Sequence, residues 1–407
     1  MFSLIRQYRR RWHGFAPQLR SLYLFSGLQQ VGLGAAQLTN VMRLHQLGWG
    51  EAGIAKLASV GMAAGALAAL PLGLLTARIG YRRTVLAASL GLSLTAALRA
   101  FVVRTSIITA LSAIDGICTV ALFTGYGPYL FRVAAPFERS HAYSLDFFLV
   151  SVCTPLGAFA AGLFLRQSAA PLQGFFMARL QYLLAWSALL MLIAVLPLIT
   201  AAVSEHQEED RLTSKPSGPP SNLVTTAVLM FAILTFAAAT SQLQPVSIVY
   251  LSETLHLSAA DIGYVNGLVA FFGSALVLLT PTLVSRFGLP LTLTLAEMLS
   301  SLGLLAMANS LHVPASLIAY LAWAAAVQAS GPLREWLALE LWPEHHHSIA
   351  SACLNMVQNG GGAIGSALGA AVSAHSGFPG SLSLAAGLGL LSSAFLLLTC
   401  SRRQKYQ

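Results

Sequence analysis

Twelve apolar runs, each long enough to cross a bilayer, leave this chain few ways to fold. A helical span needs roughly 17 to 25 apolar residues, and such runs occupy 21–44, 52–77, 84–103, 106–131, 143–166 and 178–202, then 223–251, 260–285, 289–309, 314–339, 348–373 and 380–400. Backbone polar groups in hydrocarbon must be satisfied within their own segment, so runs of this length read as helices. Only 9% of the residues are charged, whereas a soluble domain carries about 25%. The expected fold is therefore an all-α polytopic membrane protein with twelve transmembrane helices.

The runs fall into two sets of six. Between them, residues 203–222 hold Glu205, Glu208, Glu209, Asp210, Arg211, Lys215, Pro216, Gly218, Pro219 and Pro220. Such a stretch makes a solvated, flexible linker. The domains expected are a basic segment over 1–20, a six-helix bundle over 21–202, the linker over 203–222, a second bundle over 223–400 and a tail over 401–407. Arg6, Arg9, Arg10 and Arg11 with Tyr8, Trp12 and Phe15 suit an interfacial or solvated segment. No small-residue cleavage site follows the first run, which is read as a permanent anchor.

Two echoes make the chain look like two related halves. Gly73-Leu74-Leu75-Thr76-Ala77-Arg78-Ile79-Gly80-Tyr81-Arg82-Arg83 returns 208 positions later as Pro281 to Gly288, with Arg286 and Gly288 aligned on Arg78 and Gly80. Gly80 and Gly288 suit a tight reversal that needs positive φ. Pro136-Phe137-Glu138-Arg139 up to Ser144 is echoed by Pro343-Glu344-His345 up to Ser351. Acids and serines there suit helix starts. Internal duplication at half length is what repeat-built transporters show.

With both termini inside, 17 of the 23 basic residues lie on the inner side, and Arg43, Lys56, Arg99, Arg104, Arg166 and Arg179 lie outside. The positive-inside rule then places the termini in the cytoplasm, and the expected location is the plasma membrane. Such a distribution explains the net charge of +9 by topology, and no basic-aromatic motif suggests nucleic acid.

The Gly73–Arg83 stretch resembles the signature between the second and third spans of the major facilitator superfamily, a large family of secondary transporters. The family usually carries Asp before the first Arg, where this chain has Ala77 and, in the second copy, Ser285. That Asp belongs to a charge network latching the cytoplasmic ends of the halves, so the arginines are expected to use other contacts, such as a helix C-terminus. The resemblance implies alternating access between two six-helix bundles. It also implies a cytoplasmic gate drawn from Gly73, Arg78, Gly80, Arg82, Arg83, Glu138, Arg139, Asp146, Arg286, Gly288 and Arg334. The family's first, fourth, seventh and tenth spans line its cavity, which makes Gln37, Gln242 and Gln328 cavity residues by resemblance. Tyr126 and Trp323 are candidate aromatic walls, with interfacial anchoring as their alternative. In the fifth span, Pro155-Leu156-Gly157 and Gly162 resemble, incompletely, the proline-glycine signature of the superfamily's drug-proton antiporters.

Intramembrane acids are the default candidates for function. Asp115 and Glu297 are the acids expected well inside a span. Either could exchange a proton, Asp115 having ion pairing with Arg99 or Arg104 as its alternative, and Glu297 a bond to a neighbouring helix. No Lys or Arg is expected well inside a span, which disfavours a flippase for anionic lipids. Cys118, Cys153, Cys353 and Cys400 lack paired or ligand spacing and read as core. His345, His346 and His347 cannot easily present a closed metal set. No phosphate loop or nucleophile elbow appears, so neither ATP-driven pumping nor an intramembrane enzyme is expected, and no cofactor is called for. The expected function is proton-coupled export of a small drug-like or amphipathic solute by a monomer in the bilayer. Nutrient uptake, uniport, a flippase and a non-transporting sensor are the alternatives.

Overall fold

The computed structural model describes residues 17–49, 51–135, 138–166, 173–200, 223–243, 247, 250–257, 259–310, 312–343 and 346–404. The segments 1–16 and 201–222 and the tail 405–407 lie outside them, as do Gln244, Pro245, Glu344 and His345. The helices are α1 (Pro17–Gln46), α2 (Glu51–Ile79), α3 (Tyr81–Phe101), α4 (Thr105–Val133), α5 (Arg139–Arg166) and α6 (Gln173–Thr200). There follow α7 (Leu223–Thr240), α8 (Ala259–Phe287), α9 (Leu289–Asn309) and α10 (Val313–Glu340). The stretch His347–Gln404 is two helices meeting at Gly377, whose φ of 68° and ψ of −174° are not helical. These are α11 (347–376) and α12 (378–404).

Among the described residues, nine helices are long and apolar enough to cross a membrane. Large apolar side chains such as Leu67, 82% exposed, point outward, which suits lipid rather than water. The chain is a multi-pass helical membrane protein.

The internal repeat governs the element boundaries. Shifting Glu51, Ile79, Tyr81, Phe101 and Arg139 by 208 gives Ala259, Phe287, Leu289, Asn309 and His347, each an observed helix end or start. The single residues between α2 and α3 and between α8 and α9 are Gly80 and Gly288, with φ of 89° and 81°. A side chain there would strain the backbone, so both turns depend on glycine.

The seventh span departs from the continuous 223–251 run expected. Its helix stops at Thr240, a turn follows over 241–243, and a π-helical turn, Tyr250–Thr254, completes it. Pro245 is the sequence reason: it supplies no N–H and disfavours helix at the residue before it.

The chain divides into two compact units. The first comprises Met1–Ala135, Leu149–Pro216 and His345–Ala352; the second comprises Pro136–Phe148, Ser217–Glu344 and Cys353–Gln407. In the first, α1 lies along α6, α2 along α4, and α3 against both α4 and α6. Its α1 and α5 touch so closely that a Cβ on Gly34 would meet the Thr154 backbone, and one on Gly157 the Val31 backbone. The Pro155-Gly157 stretch thus has a packing role. In the second unit α10 packs on α8 and α9, around a core with Ile233, Leu293, Leu337 and Leu396.

Candidate functional site

The second bundle buries a carboxyl group among four helices. Glu297 is the ninth residue of α9, about 12 Å from its start at 1.5 Å per residue, and is 0% exposed. Ser392 of α12 donates from Oγ to Glu297 Oε2 at 2.6 Å and also lies 2.8 Å from the Ala232 carbonyl of α7. Glu297 Oε1 has no hydrogen-bond partner among the described residues. Arg334, about 9 Å from the end of α10, turns inward. Its guanidinium stacks over Phe236 at 4.7 Å and bonds Ser330 Oγ at 3.1 Å. Its charge acts on Glu297, yet the two are not within ion-pair distance.

The hydroxyl of Ser392 has one hydrogen and two oxygens within reach. With Glu297 ionised, Ser392 donates to the carboxylate. With Glu297 protonated, its Oε2–H donates to Ser392 Oγ, and the serine hydrogen turns to the Ala232 carbonyl. Both protonation states therefore find complete bonding at Oε2 without heavy-atom movement.

The repeat supplies an internal control. Subtracting 208 from Glu297, Arg334 and Ser392 gives Ser89, Tyr126 and Leu184. In the first bundle Ser89 donates to Gln29 Oε1 at 2.8 Å, Tyr126 lies 6.1 Å from the Phe25 ring, and Leu184 is buried. The fold closes at this depth with neutral groups alone, so charge at Glu297 and Arg334 is not required for packing.

The other acid is placed differently. Asp115 accepts from Thr95 Oγ1 at 2.9 Å and pairs with Arg99 at 3.4 Å, binding α3 to α4. Of the cavity candidates, Gln37 is exposed on α1 and Tyr126 is buried. Gln242 accepts from Ser381 at 3.2 Å. Trp323 is buried with its ring 5.5 Å from that of Tyr320. Gln328 lies against Gly273, where any Cβ would strike its carboxamide. Gln242 Nε2, Trp323 Nε1 and Gln328 Oε1 are buried without partners among the described residues.

The gate candidates are likewise spread out. Gly73 packs on Ala352 and Ser348. Arg82 donates to the Leu198 and Ile199 carbonyls, at 3.1 and 3.0 Å, in the last turn of α6, a contact within the first unit. Arg78 and Arg83 are exposed, and Arg286 lies 5.5 Å from the Phe287 ring. Glu138 and Arg139 open α5, with Glu138 accepting the Ala142 N–H. Asp146 is buried, and its charge acts on Glu335 within the second unit. Nearby, the Ser144 and Thr280 hydroxyls lie 2.6 Å apart.

Two arginines near the ends of their helices are buried. Arg334 is 8% exposed and Arg43, on α1, 1%. Sequence reading named Arg334 for the gate and missed Arg43, because a basic residue near the end of an apolar run looks like a topology signal; its side-chain direction is set by packing. Among the described residues no group of His, Cys, Asp and Glu could hold a metal. His347 instead meets the Phe131 ring edge-on at 4.8 Å.

Two pseudo-repeated six-helix bundles, a buried acid in one of them and glycine turns at matching places define a repeat-built membrane transporter. The sequence profile of the Major Facilitator Superfamily matches residues 22–333 and 228–407, and the chain belongs to that family. No curated protein matches it in sequence. Among solved structures it resembles the human organic anion transporter MFSD10, with a TM-score of 0.72, 15% identity, and 93% of this chain and 99% of that one covered. It also resembles the E. coli fucose:proton symporter FucP, with a TM-score of 0.72, 15% identity and coverages of 94% and 97%. A bacterial homologue of the iron transporter ferroportin, outward-facing with soaked iron, gives a TM-score of 0.75, 16% identity and coverages of 94% and 99%. At such identities the likeness is one of fold.

Proposed function

We propose that this chain is a proton-coupled secondary transporter, a monomer in the plasma membrane with both termini cytoplasmic, and that Glu297 is the acid that carries the proton. The observation behind this is the Glu297–Ser392–Ala232 arrangement, which bonds either protonation state. An ionisable group in hydrocarbon is costly unless it has work to do, and the other bundle has only Ser89 at that place. Asp115 is less suited, since Arg99 already neutralises it. The fold is compatible with proton coupling, as its likeness to a fucose:proton symporter illustrates. The solute is a small amphipathic or drug-like compound, and its direction is outward. Direction rests on the Pro155-Leu156-Gly157 resemblance to drug-proton antiporters.

Purified protein in vesicles with an imposed pH gradient tests this, using lipophilic cations, organic anions, sugars and amino acids in turn. At least one class should dissipate the gradient with the parent and with Asp115→Asn, and none with Glu297→Gln. Labelled solutes crossing the membrane with no proton movement in the parent would leave uniport in its place.

A further inference from the structure

The first bundle contains a buried cation with no counter-charge among the described residues. Arg43 is the largest fully buried side chain, 1% exposed. Among the described residues its guanidinium finds one acceptor, the Val102 carbonyl at the end of α3, at 2.8 Å, and Nε is buried with no partner. Of the acids at this end of the bundle, Asp115 is engaged by Arg99 and Thr95, and the side chain of Glu51 lies outside the described residues. A guanidinium offers five donors, and a buried charge without a counter-charge costs several kcal/mol.

Packing does not explain it. The residue 208 positions on is Leu251, which is 0% exposed, and the counterpart of Val102 is Ser310, which caps α9. The second bundle makes the same junction with an apolar side chain. A neutral donor would also have served the Val102 carbonyl, without desolvating a charge.

The surroundings point the same way. Helices alternate in direction, so the end of α1, the start of α2, the end of α3 and the start of α4 share one end of the bundle, remote from Gly80. Arg43, Lys56, Arg99 and Arg104 occur at these places, and Arg166 and Arg179 on the adjoining segments of α5 and α6. Residues 223–400 contain only Arg286 and Arg334 as basic residues, and neither is at the remote end. All the basic residues of that side thus sit on one bundle, where they would draw in anions.

We propose that Arg43 anchors an anion site at this end of the first bundle, and that it takes the single negative charge of the transported solute, of the carboxylate class. The assignment to the solute rests on the transport reading; the anion site does not. A bidentate carboxylate would fill the donors that Val102 leaves over. Because the guanidinium is enclosed, binding requires the ends of α1 and α3 to part, which ties passage of the solute at the outer side to movement of the bundle end.

Thermal unfolding of the purified full chain in detergent, at constant ionic strength, provides the test, with sodium benzoate, its uncharged isostere benzamide and sodium chloride as probes. Benzoate should raise the unfolding temperature and benzamide should not. Arg43→Leu, which copies Leu251, should fold and bind benzoate about 30-fold or more weakly, as loss of one partner of a buried charge pair implies. Should that variant fail to fold, Arg43→Lys decides, with a weakening of about tenfold or more expected from loss of the planar fork. A response equal for benzamide, or unchanged in the Arg43 variants, overturns the site. An equal response to chloride, lost in the same variants, overturns the assignment to an organic solute. The benzoate response is read without a pH gradient, so a failure of proton coupling in the vesicle experiment leaves this result standing.

Discussion

Glu297 and Ser89 hold the same place in two copies of one helix, and only one of them can bind and release a proton. Glu297→Gln keeps the shape and the contact with Ser392 while removing a buried charge. Since replacing buried charge by neutral groups is often neutral or stabilising, the unfolding temperature should not fall; a marked drop would make Glu297 a structural residue. Ser392→Ala takes away the partner of Oε2 and should cost about 1–3 kcal/mol, the penalty for orphaning a buried polar group. Equilibrium unfolding of the two variants side by side measures both effects. The acid was legible in the sequence because a carboxyl inside an apolar run stands out. Ser392 was not, because serines are common in such helices and only packing selects the one that faces the acid. Arg43 was read as an end marker, because its burial too is set by packing.

Helix starts, stops and turns were the most legible layer, since the repeat of 208 residues ties each boundary to a second copy. The break in α7 was missed because hydropathy continues through it, and a proline constrains the backbone without interrupting the apolar run. Gly34 and Gly157 set the approach of α1 and α5 through backbone contact. Gly34→Val should therefore destabilise by about 1–3 kcal/mol as an overpacked contact, visible as loss of monodisperse protein on gentle heating. An unchanged melting curve would show that the two helices can move apart freely. Arg82 ties the start of α3 to the last turn of α6 through two carbonyls. In Arg82→Ala, amides of the last α6 turn should exchange hydrogen faster, with the helix centre unaffected. Equal exchange in parent and variant would mean that solvent replaces the guanidinium without cost.

For the molecule as a whole, composition and segment length defined the class, because a chain so poor in charge has no soluble alternative and its backbone can satisfy itself only as helices. Neither feature names a site, which is made by side chains converging from α7, α9, α10 and α12. The duplication helps there: each bundle shows what the fold needs, and the differences between bundles show what it does not. By that comparison Glu297 of the second bundle and Arg43 of the first are charges that the fold does not need, the former proposed for the proton and the latter for the solute. The central claim, that Glu297 takes up and releases a proton, is open to direct observation by infrared difference spectroscopy of the purified protein across a pH titration, before any solute is known. The parent should show a protonated-carboxyl band that comes and goes with pH, and Glu297→Gln should lack it. The same band at full strength in both proteins would place the titrating carboxyl elsewhere and contradict the account.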